Sequence, residues 1–149
     1  MKTANIGTVS SGTMLPSDLI PALLDELRYL DPDNKLIGEI TYNMDKRPTF
    51  DWYYNDGVGD EGCMYDLEDL FNALDGLAPS YCYFGAHEGD GSDFGFWPSW
   101  ESINDDIHDG ILGTTDAHKS QYIEVNDHGN ATLYARDQAG NWIEVWAIV

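Results

Sequence analysis

The residues best suited to metal chemistry lie in one short, glycine-rich stretch. It holds an imidazole and three carboxylates, His87, Glu88, Asp90 and Asp93. Closely spaced carboxylates suit calcium or magnesium, and a histidine suits zinc or manganese. However, the stretch lacks the calcium-loop pattern of alternating acids, a glycine at the sixth position and a glutamate at the twelfth. We therefore expect a polar turn with no metal or other cofactor. The alternative is a metal-dependent enzyme that uses the His87–Asp93 loop, with His87, Asp90 and Asp93 as ligands.

Other catalytic motifs are missing from the sequence. It has no nucleophile elbow, no zinc-binding histidine pair at helical spacing and no dinucleotide fingerprint. Two carboxylates do acid–base work when their surroundings push their pKa values apart. In a chain with 27 Asp and Glu residues, the mere adjacency of two acids carries little information. We therefore predict a protein that is not an enzyme, with no catalytic residues.

Acidity is the dominant feature of the chain. The formal net charge is −20, and no lysine or arginine occurs between Arg47 and Lys119. Protein surfaces ordinarily intersperse both signs of charge. A one-signed field of this length either keeps the protein soluble or attracts a positively charged partner. Nucleic acids and anionic membranes are excluded as direct partners, because both would repel such a surface.

One predicted helix arranges its acids in a row. It begins after Ser99 as N-cap, ends at Gly110 and turns three apolar residues inward: Trp100, Ile103 and Ile107. On the opposite side lie three acids at steps of four residues: Glu101, Asp105 and Asp109. Each like-charge pair at this spacing costs about 0.2–0.5 kcal/mol, and no lysine stands near in sequence. Four residues rise about 6 Å along a helix, on the scale of phosphate spacing along one nucleic-acid strand.

The total charge also matches the scale of DNA. A duplex carries one charge per ~1.7 Å, so twenty charges correspond to roughly 34 Å, close to the width of a globule of this length. This favours a nucleic-acid mimic that blocks a basic DNA- or RNA-handling protein, such as a host defence nuclease. The predicted binding surface consists of acids, Asp66, Glu68, Asp69, Glu101, Asp105, Asp106 and Asp109, with Tyr54 and Trp97 as candidate aromatic anchors. The alternative is a solvated acidic surface without a partner, as salt-adapted proteins carry.

The elements that would position these residues begin with a short strand, Ile6–Val9, and a helix starting near Ser17 or Asp18. Leucines and Ile20 recur there at helical spacing, and turn formers follow at Asp31–Asn34. Lys35–Met44 and Thr49–Tyr54 are predicted to pair as a hairpin through the turn Asp45–Pro48. An acidic loop, Asn55–Gly62, comes next.

A second helix is predicted from about Tyr65 to Leu77, with an apolar stripe that consists of Met64, Leu67, Leu70, Phe71, Leu74 and Leu77. Asp66, Glu68 and Asp69 would then occupy its first turn, where the helix dipole favours acids. Two aromatic strands, Tyr81–Ala86 and Phe94–Trp97, flank the His87–Asp93 loop as a hairpin.

The last third of the sequence predicts a three-stranded meander of Gln121–Asn126, Ala131–Arg136 and Asn141–Val149. The last strand is almost entirely apolar, which predicts a central position in the sheet. Together these elements predict a single α+β domain over residues 1–149. About three helices would pack on antiparallel hairpins, with the C-terminal meander at the centre.

Two further features bear on the cellular setting. Cys63 and Cys82 form no metal or redox motif, so two buried free thiols are expected. No apolar run is long enough to span a bilayer, and the N-terminus lacks an apolar signal core. We expect a cytoplasmic protein; the composition does not indicate an oligomeric state.

Two segments resemble small acidic proteins encoded by phages and other mobile genetic elements: Tyr83–Pro98, and Glu124–Asn130 with the following Thr132, Leu133 and Tyr134. The resemblance covers about the C-terminal half of the chain. It brings no catalytic residues and is not to a named family of DNA mimics. Because such elements carry acidic antagonists, among them anti-restriction and anti-CRISPR proteins, it implies an anti-defence inhibitor in the host cell cytoplasm.

Overall fold

The computed structural model describes residues 1–46, 61–115 and 119–149. The predicted α+β class is confirmed, although these residues form four helices where about three were expected. The helices are α1 (Pro16–Leu30), α2 (Lys35–Lys46), α3 (Glu61–Asp75) and α4 (Trp100–His108). The strands are β1 (Gly7–Ser10), β2 (Cys82–His87), β3 (Asp90–Pro98), β4 (Gln121–Val125), β5 (Ala131–Arg136) and β6 (Trp142–Ile148).

The chain divides into two compact units. The first contains residues Met1–Ala78 and Phe84–Trp97, and the second contains Pro79–Tyr83 and Pro98–Val149. A hydrophobic core lies wholly within the first unit, where α1, α3 and the first sheet supply most of its side chains, together with Ala4 and with Ile40 of α2. Among the described residues, no side chain of the C-terminal meander, which was expected to be central, belongs to this core.

Helix α1 contributes more side chains to that core than any other element. Six of its apolar side chains recur at helical spacing and are all buried: Leu19, Ile20, Leu23, Leu24, Leu27 and Leu30. The helix starts slightly earlier than predicted, with Leu15 as an N-cap that has no side-chain cap bond. Pro16 is the first residue of the helix, a position where proline is favoured because the backbone N–H groups of the first turn have no partner within the helix. Thr13 Oγ1 donates to Asp18 Oδ2 at 2.6 Å and supports the entry to the helix.

The segment Lys35–Met44 is a helix, so its prediction as a strand is wrong. The prediction followed even spacing between Leu36, Ile40 and Tyr42, but Tyr42 is exposed and Ile40 is fully buried. Asn34 starts the helix, because its Oδ1 accepts a hydrogen bond from the Leu36 backbone N–H at 3.0 Å. The hairpin with Thr49–Tyr54 is lost with its first strand, and its second strand lies outside the described residues. Of the predicted turn, Asp45 and Lys46 belong to α2.

Helix α3 begins at Glu61, about one turn before the predicted start. Glu61 and Gly62 are therefore helical, and the rest of the predicted acidic loop lies outside the described residues. Leu70 and Leu74 are fully buried as expected, whereas Met64 is 48% exposed and Cys63 is buried in its place. Cys63 lies seven residues before Leu70 and therefore on the same face of the helix, whereas Met64 lies to one side of that face, so its predicted burial is wrong.

The first sheet has the strand order β1-β3-β2, and β1 runs antiparallel to β3. The predicted aromatic hairpin is confirmed, but its connection is only Glu88–Gly89, because Asp90 to Asp93 already belong to β3. Gly95 pairs with Thr8, and a Cβ at this position would come within 2.1 Å of the Gly7 carbonyl oxygen. A glycine is thus required for β1 to approach β3. Phe84 packs edge-on against Phe96 in the core, with centroids 5.0 Å apart.

The second unit contains α4 and the meander, both confirmed. The strand order is β4-β5-β6, so β5 is central and the prediction of a central last strand is wrong. Leu133 of β5 is fully buried and faces Ile123 and Trp146 on its two neighbours. Trp146 Nε1 donates to the Ser80 carbonyl at 2.8 Å. Strand β6 is thus apolar although it does not lie between two strands of its own sheet in the described part of the chain.

Among the helices of the described residues, none combines the length and the apolar character that crossing a bilayer would require.

Candidate functional site

Helix α4 is held by defined caps at both ends. Ser99 Oγ accepts a hydrogen bond from the Ser102 backbone N–H at 3.4 Å. At the other end, the Asp109 N–H donates to the Asp105 carbonyl at 2.9 Å, and Gly110 follows with a positive φ of 74°. Ile103 is 1% exposed and anchors the inner face. These contacts fix which side of the helix faces solvent.

The three acids predicted to form a row are exposed. Glu101 and Asp105 lie within α4 and Asp109 is its C-cap, at successive steps of four residues. We call Glu101, Asp105 and Asp109 the acidic stripe. Within the described residues, none of the three carboxylates has a hydrogen bond or ion pair. The stripe is therefore a row of exposed carboxylates on a helix that is capped at both ends.

Asp106 does not belong to this row, although the sequence predicted it as part of the binding surface. It is half-buried, and its Oδ2 accepts a 2.7 Å hydrogen bond from the Tyr81 hydroxyl. Its backbone carbonyl also accepts from the Ile111 and Leu112 N–H groups at 2.8 and 3.0 Å. Asp106 thus organises the chain after α4. A carboxylate that already accepts a hydrogen bond within the chain has less acceptor capacity left for a partner.

Tyr81 was missed by sequence reasoning as a partner of Asp106. It is a non-glycine residue with a positive φ of 61°, in the left-handed region that side chains rarely adopt. Burial, the hydrogen bond to Asp106 and the negative charge of Asp106 raise the pKa of Tyr81 to about 12. Nothing in the local sequence signals this contact, because the two residues are 25 positions apart.

One lysine lies at the C-terminal end of α4, where the sequence suggested that none was near. Lys119 Nζ donates to the Gly110 carbonyl. A cation at this end complements the negative pole of the helix and satisfies a carbonyl that the helix leaves free. This contact offsets part of the cost of placing Asp109 at the same end.

The acids of α3 differ in their surroundings. Asp66 is only 6% exposed, and its Oδ1 accepts a hydrogen bond from Asn43 Nδ2 of α2 at 3.0 Å. Its prediction as a surface contact is therefore wrong. Glu68 and Asp69 are exposed. Because α3 starts at Glu61, none of the three lies in the first turn, and the predicted dipole explanation does not apply to them.

The few cations of the described residues are partly engaged with aromatic rings. Three pairs have short distances from cation to ring centroid: Lys2 over Tyr29 at 3.8 Å, Lys46 over Tyr42 at 4.4 Å, and Arg136 over Trp142 at 4.2 Å. Arg28 forms an ion pair with Asp25 at 2.9 Å within α1. Cations held on rings do not neutralise the carboxylates of the stripe.

The His87–Asp93 stretch has internal partners. His87 Nδ1 accepts from the Gly89 N–H at 3.0 Å, and the ring packs edge-on against Trp97 with centroids 4.7 Å apart. Asp90 Oδ1 accepts from the Ser92 N–H at 3.0 Å and from its hydroxyl at 2.8 Å. These bonds are the main cause of a pKa of Asp90 below its ordinary value.

These contacts bear on the metal alternative. Asp93 Oδ1 is buried without a hydrogen-bond partner in the described residues. Across residues 1–46, 61–115 and 119–149, however, no group of three His, Cys, Asp or Glu side chains converges closely enough to hold a metal ion. His87, Asp90 and Asp93 are thus not brought together as ligands.

Of the two candidate aromatic anchors, only Trp97 lies in the described part of the chain. It is half-buried, and its Nε1 donates to the Gly85 carbonyl at 3.1 Å. Tyr54 lies outside the described residues. Of the two thiols predicted to be buried, Cys63 is buried and Cys82 is only half-buried. Burial raises the pKa of Cys82 to about 12.

Comparisons with protein-family models, with curated proteins and with solved structures find no match. The resemblance to proteins of phages and mobile elements therefore stays a prediction.

Proposed function

We propose that this protein is an acidic inhibitor that imitates nucleic acid and occupies the basic site of a DNA- or RNA-handling protein. The observation that supports it best is the acidic stripe on α4. Glu101, Asp105 and Asp109 are exposed at steps of four residues and have no partner among the described residues. Glu68 and Asp69 on α3 are further exposed acids that a partner could contact.

Rigidity favours this use of the stripe. The helix is capped by Ser99 and Gly110, and Asp105 and Asp109 have short side chains, so these two carboxylates lose little conformational freedom on binding. A helix of this length presents them about 6 Å apart along its axis. Basic grooves that track a nucleic-acid backbone carry lysine and arginine for contacts with successive phosphates. The stripe offers such groups a similar row of anions.

Electrostatics explains why the repulsion within the row is tolerable. Each like-charge pair costs only about 0.2–0.5 kcal/mol in the free protein. A net charge of −20 accelerates encounter with a basic partner, and each carboxylate that meets a guanidinium gains a charge-assisted hydrogen bond. The same field repels nucleic acid itself. The inhibitor is thus expected to bind the enzyme and not its substrate.

A pull-down from a lysate of the native host tests the proposal. The bait is the full chain, compared with Glu101→Lys, Asp105→Lys and Asp109→Lys combined. A matched control combines Asp33→Lys, Glu39→Lys and Asp45→Lys, three exposed acids of the α1–α2 region, and so changes the net charge equally. A basic nucleic-acid-handling protein should be retained by the wild type and the control and lost by the stripe variant.

Two outcomes would contradict the proposal. Equal loss in both triple variants would mean that net charge alone attracts the protein, as expected of a solvated acidic surface. Retention of a partner that is not basic, or equal retention by the stripe variant, would exclude the stripe as the binding site.

A further inference from the structure

Strand β6 has the composition of an interior strand and the position of an edge strand. Its sequence, Trp142–Ile148, contains a single charged residue, Glu144, and no lysine or proline. Edge strands are normally protected by charges, prolines or a covering segment, because their outward N–H and C=O groups can pair with another chain. In the described residues, β6 pairs only with β5.

The opposite edge of the same sheet is covered. The Gly113 N–H donates to the Gln121 carbonyl at 3.2 Å, and the Ile123 N–H donates to the Gly113 carbonyl at 2.9 Å. The segment after α4 thereby occupies part of the free side of β4. Protection is therefore confined to one edge, and the more apolar edge lacks it among the described residues.

The side chains of β6 leave an apolar surface beside this edge. Ile143 is 49% exposed, and Ala147 is also exposed. The pairing with β5 shifts register between Leu133 and Tyr134, so Val145 is an extra residue in a bulge. A bulge can blunt an edge by twisting it. Here it also reverses the side-chain alternation along β6, so that Ile143 and Trp146 share one face of the sheet and Trp142 and Ala147 the other.

We propose that β6 pairs antiparallel with β6 of a second copy of this chain, which joins the two meanders into one six-stranded sheet. A two-fold axis between Glu144 and Val145 matches the faces on both sides of the bulge. It places Ile143 opposite Trp146, and Trp142 opposite Ala147. The only charged residue of the strand, Glu144, then faces Val145 and not its own copy. This self-complementarity is the reason to name a second copy as the occupant.

Charge decides when this dimer forms. Two chains of net charge −20 repel each other, and salt screens that repulsion. Dimerisation therefore strengthens as salt rises, whereas binding of a basic target weakens. A pairing of two short strands is also a small interface, which belongs to the weak class of associations. The two proposals are thus independent and respond to salt with opposite signs.

The test is sedimentation equilibrium of the full chain at low salt and at about 1 M salt, where the Debye length is only ~3 Å. Protein concentrations from about 1 μM to about 1 mM cover the range of weak association. The variants are Ile143→Lys and Ala147→Lys, each at an exposed position of β6. The matched control is Val125→Lys on β4, because Val125 is 56% exposed and the charge change is identical. Circular dichroism confirms that each variant is folded.

The wild type and Val125→Lys should dimerise at high salt, and both β6 variants should need at least about tenfold more protein to do so. A monomer under all conditions would overturn the proposal. So would a dimer that the β6 and β4 variants weaken equally, because its interface would then lie elsewhere.

Discussion

The Tyr81 hydroxyl donates a 2.7 Å hydrogen bond to Oδ2 of Asp106. This contact distinguishes Asp106 from its neighbour Asp105, which belongs to the acidic stripe. The two neighbouring acids therefore have different roles. Asp106 connects α4 to Tyr81 and to the segment that follows the helix, whereas Asp105 is exposed to solvent.

Removing this hydroxyl should destabilise the protein. We expect Tyr81→Phe to lower the free energy of unfolding by about 1–2 kcal/mol, because a half-buried carboxylate loses a donor. Urea unfolding measures the change. Tyr65→Phe is the control, since Tyr65 is 62% exposed and should change stability by less than about 0.5 kcal/mol. Equal effects of the two substitutions would show that the hydrogen bond contributes nothing.

The same contact predicts a dependence on alkaline pH. The pKa of Tyr81 is raised to about 12 in the folded chain and is near 10 when unfolded. Between these values the folded state retains a proton that the unfolded state has lost, so stability falls as pH rises. The advantage of the wild type over Tyr81→Phe should shrink from about pH 10 to about pH 12. A constant difference would contradict the raised pKa. The comparison cancels the contribution of Cys82, which both proteins share.

Asp66 provides a second test of a structural carboxylate. We expect Asp66→Ala to cost about 1–3 kcal/mol, because the amide of Asn43 then loses a buried acceptor. Asp69→Ala, at an exposed position of the same helix, should stay within about 0.5 kcal/mol of the wild type. Chemical denaturation measures both. If Asp69→Ala were the more damaging change, the assignment of Asp66 to the interior would be wrong.

Repulsion within the acidic stripe should be measurable as stability. Asp105→Asn removes two like-charge pairs, with Glu101 and Asp109, and should stabilise the protein by about 0.4–1 kcal/mol at low salt. The gain should disappear at high salt, where exposed charges are screened. Glu39→Gln on α2 is the opposite control, because Lys35 lies four residues before it and the change removes an attraction. Thermal melting at two salt concentrations measures both effects: at low salt, Asp105→Asn should raise the melting temperature and Glu39→Gln should lower it.

Local patterns predicted much of this fold. The leucine face of α1, the caps of α4 and the three strands of the meander are all encoded within a few residues, and all are confirmed. The error at α2 has a local cause as well. Leu36 and Ile40 fit both an alternating pattern and a helical one, Tyr42 fits only the alternating pattern and is exposed, and the Asn34 cap favours the helix.

Other features depend on contacts between distant residues. The burial of Asp66 needs Asn43, 23 positions away, and the role of Asp106 needs Tyr81. The edge position of β6 follows from the order of the strands, which composition does not encode. The acids of the predicted surface that are exposed are those whose side chains have no hydrogen bond to a distant element of the described chain.

Competition between the protein and nucleic acid for the captured partner tests the central proposal most directly. The partner is immobilised with the wild-type protein bound, and DNA or RNA is added. If the protein is a mimic, a nucleic acid that binds the partner more tightly should release more of the protein. Rising salt should also release the wild-type protein from the partner. The triple lysine variant of the stripe should fail to bind. If saturating nucleic acid left the protein in place while both remained bound to the partner, the two would occupy different sites, and the account of the acidic stripe as a nucleic-acid mimic would be wrong.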